Sequence, residues 1–142
     1  MLNKVGSDYI NANWVDGIDQ RSQRKFIATQ GPLPNTVEDF WRMVWTYKCS
    51  VIVMLTALYE SNRQMIKKNK RSLFSPSFKK RQKCVQYWPN KKETFPIYGM
   101  WSVEMDSETE TSELAERVFI MTEISTGKEL SITQIQYLQW PE

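Results

Sequence analysis

The sequence predicts an α/β domain, a twisted mixed sheet with one helix after its second strand. Three stretches carry that prediction. Apolar residues recur at helical spacing through Val37, Phe40, Trp41, Val44 and Trp45; an unbroken apolar run, Val51-Ile52-Val53-Met54-Leu55, follows closely; and the chain after Phe95 partly alternates between apolar and polar residues. A helix beside a short, fully apolar strand, with alternating strands around them, implies a layered α/β architecture.

Taken in order, Asp8–Trp14 and Lys25–Thr29 read as two short strands joined by a polar turn around Asp16-Gly17, and pairing of the two is the simplest arrangement. Tyr9 and Trp14 are expected to pack. After Gln30-Gly31-Pro32, the word Asn35-Thr36-Val37-Glu38 offers a helix cap followed three residues later by Glu, so a helix is predicted from about Thr36 to Tyr47. Its Trp and Phe residues make a core face and not a ligand-stacking stripe. Val51–Leu55 suits a strand covered on both faces, as in the middle of a sheet. Beyond it, Ile97–Met105, Arg117–Glu123 and Glu129–Gln139 read as an antiparallel meander, with a Thr126-Gly127 turn before the last segment. The acids Glu104, Asp106, Glu108 and Glu110 read as a solvated loop, without the glycine that a calcium loop needs, so no metal site is predicted.

Composition narrows the class. With 142 residues, 41% hydrophobic and 25% charged, the chain has the make-up of one globular domain. The longest uncharged apolar run, Cys49 to Tyr59, is shorter than the roughly 20 residues a membrane helix needs, and Met1–Ser7 has no apolar leader core. A cytoplasmic chain without a transmembrane segment is expected. The net charge of +3 conceals an asymmetry: seven of the nineteen basic residues lie between Gln64 and Gln82, and the twelve others face sixteen acids, a balance of −4. No nucleic-acid surface is therefore expected. The basic block, with Pro76 and three serines, reads as a flexible loop, and its clusters single out neither an import signal, an acidic-lipid patch nor a peptide-binding rim. Cys49 and Cys84 lack CxxC spacing and the chain has no histidine, so both are expected to be reduced, partly buried thiols.

Six words then appear in a fixed order: Asp8-Tyr9-Ile10-Asn11-Ala12-Asn13, Ile27-Ala28-Thr29-Gln30-Gly31-Pro32-Leu33-Pro34, Asp39-Phe40-Trp41-Arg42-Met43-Val44-Trp45, Val51-Ile52-Val53-Met54-Leu55-Thr56, Lys83-Cys84-Val85-Gln86-Tyr87-Trp88-Pro89 and Gln136-Tyr137-Leu138-Gln139-Trp140-Pro141. In that order they resemble the tyrosine-specific protein phosphatases. The resemblance covers nearly the whole chain but only about the first half of the family's catalytic domain, which implies a truncated phosphotyrosine-protein-phosphatase-like fold. It further implies phosphotyrosine proteins as partners of a complete form, and no cofactor.

In the family this resemblance implies, a cysteine of low pKa in a His-Cys-x5-Arg loop attacks phosphorus. A carboxylic acid on a mobile loop protonates the leaving tyrosine oxygen. The nucleophile loop has no counterpart here: the chain has no histidine, Leu55 stands six residues after Cys49, and Asn90 stands six after Cys84. The family's ring-stacking tyrosine belongs to a segment that would precede Met1. Glu142 matches the general acid, so that Trp140-Pro141-Glu142 replaces Trp-Pro-Asp, as in the weak or inactive second domains of tandem receptor-type phosphatases. Glu60 matches the glutamate that braces the phosphate-loop arginine, and Lys83 matches a lysine facing the substrate. Between those two the family has only a few residues, so Gln64–Gln82 reads either as an insertion at the rim or as an error of gene prediction such as an unspliced intron. The expectation is a phosphatase-family chain that is inactive alone. Alternatives are a non-catalytic interaction module, perhaps binding an intact phosphatase, and a partial gene product. Val51–Leu55 is expected to lack its cover, because its partners in the family's fold lie beyond Glu142.

Overall fold

The computed structural model of the protein describes residues 9–17, 25–61 and 80–139. Strands β1 (Ala12–Asp16) and β2 (Lys25–Thr29) form an antiparallel ribbon, pairing from Ala12 opposite Thr29 to Asp16 opposite Lys25. Helix α1 (Val37–Thr46) follows the second strand, as predicted. The strands after it are β3 (Val51–Met54), β4 (Tyr59–Ser61), β5 (Lys80–Gln82), β6 (Thr94–Ile97), β7 (Trp101–Glu110), β8 (Leu114–Glu123) and β9 (Glu129–Tyr137). Five of them make one mixed sheet in the order β3-β9-β8-β7-β6, while β4 and β5 pair as a separate small hairpin.

The helix forms where the apolar spacing places it, and its buried face is Val37, Phe40, Trp41, Val44 and Trp45. Its amino end is held differently from the expected capping arrangement. Thr36 Oγ1 accepts from the Leu33 N–H at 2.9 Å, and Glu38 spends its carboxylate on the Tyr98 N–H, 2.8 Å away. Asp39 is buried and accepts from Tyr98 Oη at 2.6 Å and from Arg42 Nη2 at 2.8 Å. The first turn, where carboxylates also suit the helix dipole, is thus pinned to the turn between β6 and β7. Trp41 has no solvent exposure; its indole sits edge-on to Phe119, 5.7 Å away, and donates to the Tyr87 carbonyl at 2.7 Å. Burial of such side chains stabilises by about 1.5–3 kcal/mol each, which makes this helix–sheet contact the centre of the core.

The meander from β6 to β9 is found, and its turn between β8 and β9 contains Gly127 at φ 69°. Pro96 lies in β6, the outer strand of that side, where a missing donor disrupts no inner ladder. The acidic segment is not the expected loop. β7 continues to Glu110 and β8 begins at Leu114, with a register shift between Met105 and Ser107 that fits one extra residue, Asp106.

Two further expectations are corrected. Tyr9 and Trp14 are 74% and 53% exposed; Trp14 meets Tyr47 edge-on at 4.9 Å but is not covered. Strand β3 is not central among the described residues: it is the edge of the sheet, paired only with β9. The apolar run supplies two apolar faces, and the described residues cover one. Met54 is buried and Ile52 half-buried, whereas Val51 and Val53 are 54% and 63% exposed. The basic block also needs revision at its end, since Lys80–Gln82 is a strand and not loop; its residues 64–79 lie outside the described residues.

Candidate active site

One parallel pair, β3 and β9, organises the site. Its register runs from Val51 opposite Thr133 to Met54 opposite Gln136, so both strands end on the same side of the sheet. Ligands of open α/β sheets collect outside such carboxyl ends. From β3 the chain passes Thr56 and Leu58 into β4; from β9 it passes Leu138 and Gln139. The two exits are tied together, because the Gln136 side-chain amide donates to the Thr56 carbonyl at 3.3 Å.

The hairpin of β4 and β5 carries the next part. Tyr59, Glu60 and Ser61 stand opposite Gln82, Arg81 and Lys80. At its base the Leu58 carbonyl accepts from the Lys83 N–H at 3.0 Å and from the Cys84 N–H at 3.5 Å. Lys83 is exposed at this end, and Cys84 beside it is 1% exposed. A side chain at Gly31 would put its Cβ only 2.9 Å from the Cys84 Cβ, so the Gln30-Gly31-Pro32 segment lies flat on this thiol, and the Pro32 carbonyl takes the Val85 N–H at 3.1 Å. Burial pushes the Cys84 thiol up to about 11, which leaves it protonated at neutral pH and unsuited to attack.

On β8 and β9 lies a group of polar residues centred on the buried Arg117, Gln134 and Gln136. Arg117 donates through Nε to Glu108 at 2.7 Å and through Nη1 to the side-chain oxygens of Gln134 and Gln136 at 3.0 and 2.9 Å. Its guanidinium stands 4.7 Å from the centre of the Trp88 ring. Gln134 in turn donates to the Tyr87 hydroxyl at 2.7 Å. Burial raises the Tyr87 pKa; the Gln134 hydrogen bond opposes that rise without cancelling it.

A sequence model of the family described as Protein-tyrosine phosphatase matches residues 1–142. The chain belongs to the protein-tyrosine phosphatase family. Among individual phosphatases, it is 40% identical over 138 residues to receptor-type tyrosine-protein phosphatase F of Danio rerio, an alignment covering 96% of this chain and 6% of the relative. It is 39% identical to receptor-type tyrosine-protein phosphatase S of Gallus gallus, covering 97% of this chain and 8% of the relative. It is also 40% identical to tyrosine-protein phosphatase 1 of Dictyostelium discoideum, covering 98% of this chain and 24% of that protein. The chain therefore spans a minor part of each of these phosphatases.

Of the site residues expected from the family resemblance, Glu60 is the middle residue of β4, opposite Arg81, and Lys83 directly follows β5, its N–H held by the carbonyl of Leu58 just before β4, so the two belong to one small unit. Trp140, Pro141 and Glu142 lie outside the described residues. Arg117, Gln134 and Gln136 were not singled out from the sequence, although each occupies an inward position of its strand, on the same parity as Phe119 or Ile132. No helix among the described residues is long and apolar enough to cross a membrane.

Proposed function

We propose that this chain supplies the leaving-group side of a tyrosine-phosphatase site, acting on phosphotyrosine proteins at the cytoplasmic side of a membrane or in the cytoplasm. In this reading Glu142, on the Trp140-Pro141-Glu142 loop, is the general acid; Glu60 braces the phosphate-binding arginine; and Lys83 faces the substrate. The observation that carries it is the parallel pairing of β3 with β9, because these strands lead respectively to the hairpin of Glu60 and Lys83 and toward Trp140. The attacking thiolate has to come from outside these 142 residues: they contain no histidine, and neither cysteine opens a Cys-x5-Arg sequence. The chain alone is therefore a phosphatase-family member without turnover. The same lack of a nucleophile favours a second reading, a non-catalytic module that binds a partner such as an intact phosphatase.

The test has two parts. The purified chain is assayed on a phosphotyrosyl peptide and a small aryl phosphate, with no hydrolysis expected; a vanadate-sensitive rate that survives purification overturns the assignment of the nucleophile. A chimera then joins this chain to the remaining catalytic segment of an active receptor-type phosphatase. Glu142→Ala should lower its kcat by about 10²–10⁴ at neutral pH with KM nearly unchanged. An active chimera indifferent to Glu142→Ala removes Glu142 as the acid, and an inactive chimera favours the binding module.

A further inference from the structure

A guanidinium removed from water is costly unless its donors are placed and its charge is met. Arg117 is 6% exposed, and its partners are Glu108, Gln134, Gln136 and the face of Trp88. What distinguishes the arrangement is where those partners lead. Gln136 holds the Thr56 carbonyl, and two residues later the Leu58 carbonyl holds the Lys83 and Cys84 N–H groups. From Lys83 the chain runs to Tyr87 and Trp88, which return to Arg117, the first through Gln134 and the second directly. The contacts close a ring in which Lys83 lies on one side and Arg117 on the other.

We propose that Arg117 is the positioning residue for the Lys83 side of the site, fixing the spacing between the ends of β3 and β9 and the segment that presents Lys83. The importance given to Lys83 rests on the phosphatase reading above; the ring itself does not. Arginine is required because one planar group must donate in two directions while stacking on an indole. A lysine ammonium offers a point charge without that fork or that face. An arginine serving only to fill the core would predict something different: its loss would lower global stability and loosen every segment alike.

Amide hydrogen exchange of the 142-residue chain separates the two. Arg117→Met, Arg117→Lys and Gln136→Met are compared with Val103→Ala, a cavity in the fully buried part of β7 away from the ring. At equal global stability set with denaturant, the Lys83 and Cys84 amides should exchange about tenfold faster in Arg117→Met than in Val103→Ala, while those of Val44 and Trp45 in α1 do not differ. Arg117→Lys should not restore the slow rate, and Gln136→Met should act in the same direction. Equal exchange at Lys83 and Cys84 in Arg117→Met and Val103→Ala, or full restoration by lysine, overturns the proposal. If Arg117→Met does not fold, Gln136→Met and Arg117→Lys decide by the same comparison with Val103→Ala. Because exchange is read without any turnover, an inactive chimera with the expected exchange pattern defeats the phosphatase reading and leaves Arg117 in its role.

Discussion

Cys84 illustrates how a residue's surroundings decide its chemistry. It follows Lys83, a neighbour that by sequence alone would favour a thiolate, yet Gly31 packs against it so closely that the sulfur is shut from water. The thiol is shifted from 9.0 to about 11 by burial, so the folded chain keeps a proton that the unfolded chain releases above pH 9. Protons bound in excess by the folded state mean that stability is unaffected below pH 9 and falls as pH rises toward 11. The melting temperature should therefore drop across pH 9–11, and the drop should be smaller in Cys84→Ala. Identical pH profiles in both proteins would mean that the thiol does not titrate on unfolding. The buried thiol was legible from the apolar residues around it. Arg117 was not, because an arginine within Ala115-Glu116-Arg117-Val118-Phe119 reads as an ordinary outward polar residue until strand parity is counted from Phe119 and Met121. Only then does its side chain fall on the inward face.

At the scale of elements, α1 was the most legible because a 3.6-residue period repeats over three turns, whereas the acidic stretch was misread because charge outweighed alternation. Ser102, Glu104 and Thr109 all lie on β7, paired with Thr122, Ile120 and Glu116 of β8. Register of that kind depends on the partner strand and is not written in one segment. The hairpin of β4 and β5 was not legible for a related reason, since its strands are three residues each and the second is the end of the basic block itself. Their pairing yields a direct prediction. Ser61 and Lys80 are cross-strand partners, so a two-residue Asn-Gly turn can join them in place of residues 62–79. The shortened chain should melt at the same temperature or a few degrees higher, because loop closure costs less entropy. A marked loss of helix and sheet signal by circular dichroism would show that residues 62–79 contribute contacts to the fold.

At the scale of the whole molecule, the sheet is unequally finished at its two edges among the described residues. β6 ends one side with a proline and four residues, a form that resists further pairing. β3 ends the other with Val51 and Val53 facing out and no proline or charge along Val51–Met54. An apolar edge of this kind recruits other strands. The chain is therefore expected to self-associate in sedimentation experiments at micromolar concentration, and Val53→Lys should shift it toward monomer. A monodisperse monomer without the substitution would contradict this and favour a self-sufficient binding module. That β3 would be a strand was legible from five apolar residues in a row, but the run by itself suggests a central strand; that it would lack cover followed only from the family resemblance, which places its partners beyond Glu142, because an apolar run states how much cover a strand can use and not whether the cover is present.

The parallel pairing of β3 with β9 has a consequence in time. Within the meander, Arg117 meets Glu108, Gln134 and Gln136 at separations of 9, 17 and 19 residues, whereas Gln136 reaches Thr56 across 80. Chain closure over short separations is faster, so β7, β8 and β9 can assemble first with the guanidinium already paired inside them. β3 docks afterwards, against a strand whose glutamine is already held in place. On this ordering the contact between Gln136 and Thr56 belongs, with the pairing of β3 and β9 itself, to the late part of folding, so the two strand ends are brought together only after the meander is built.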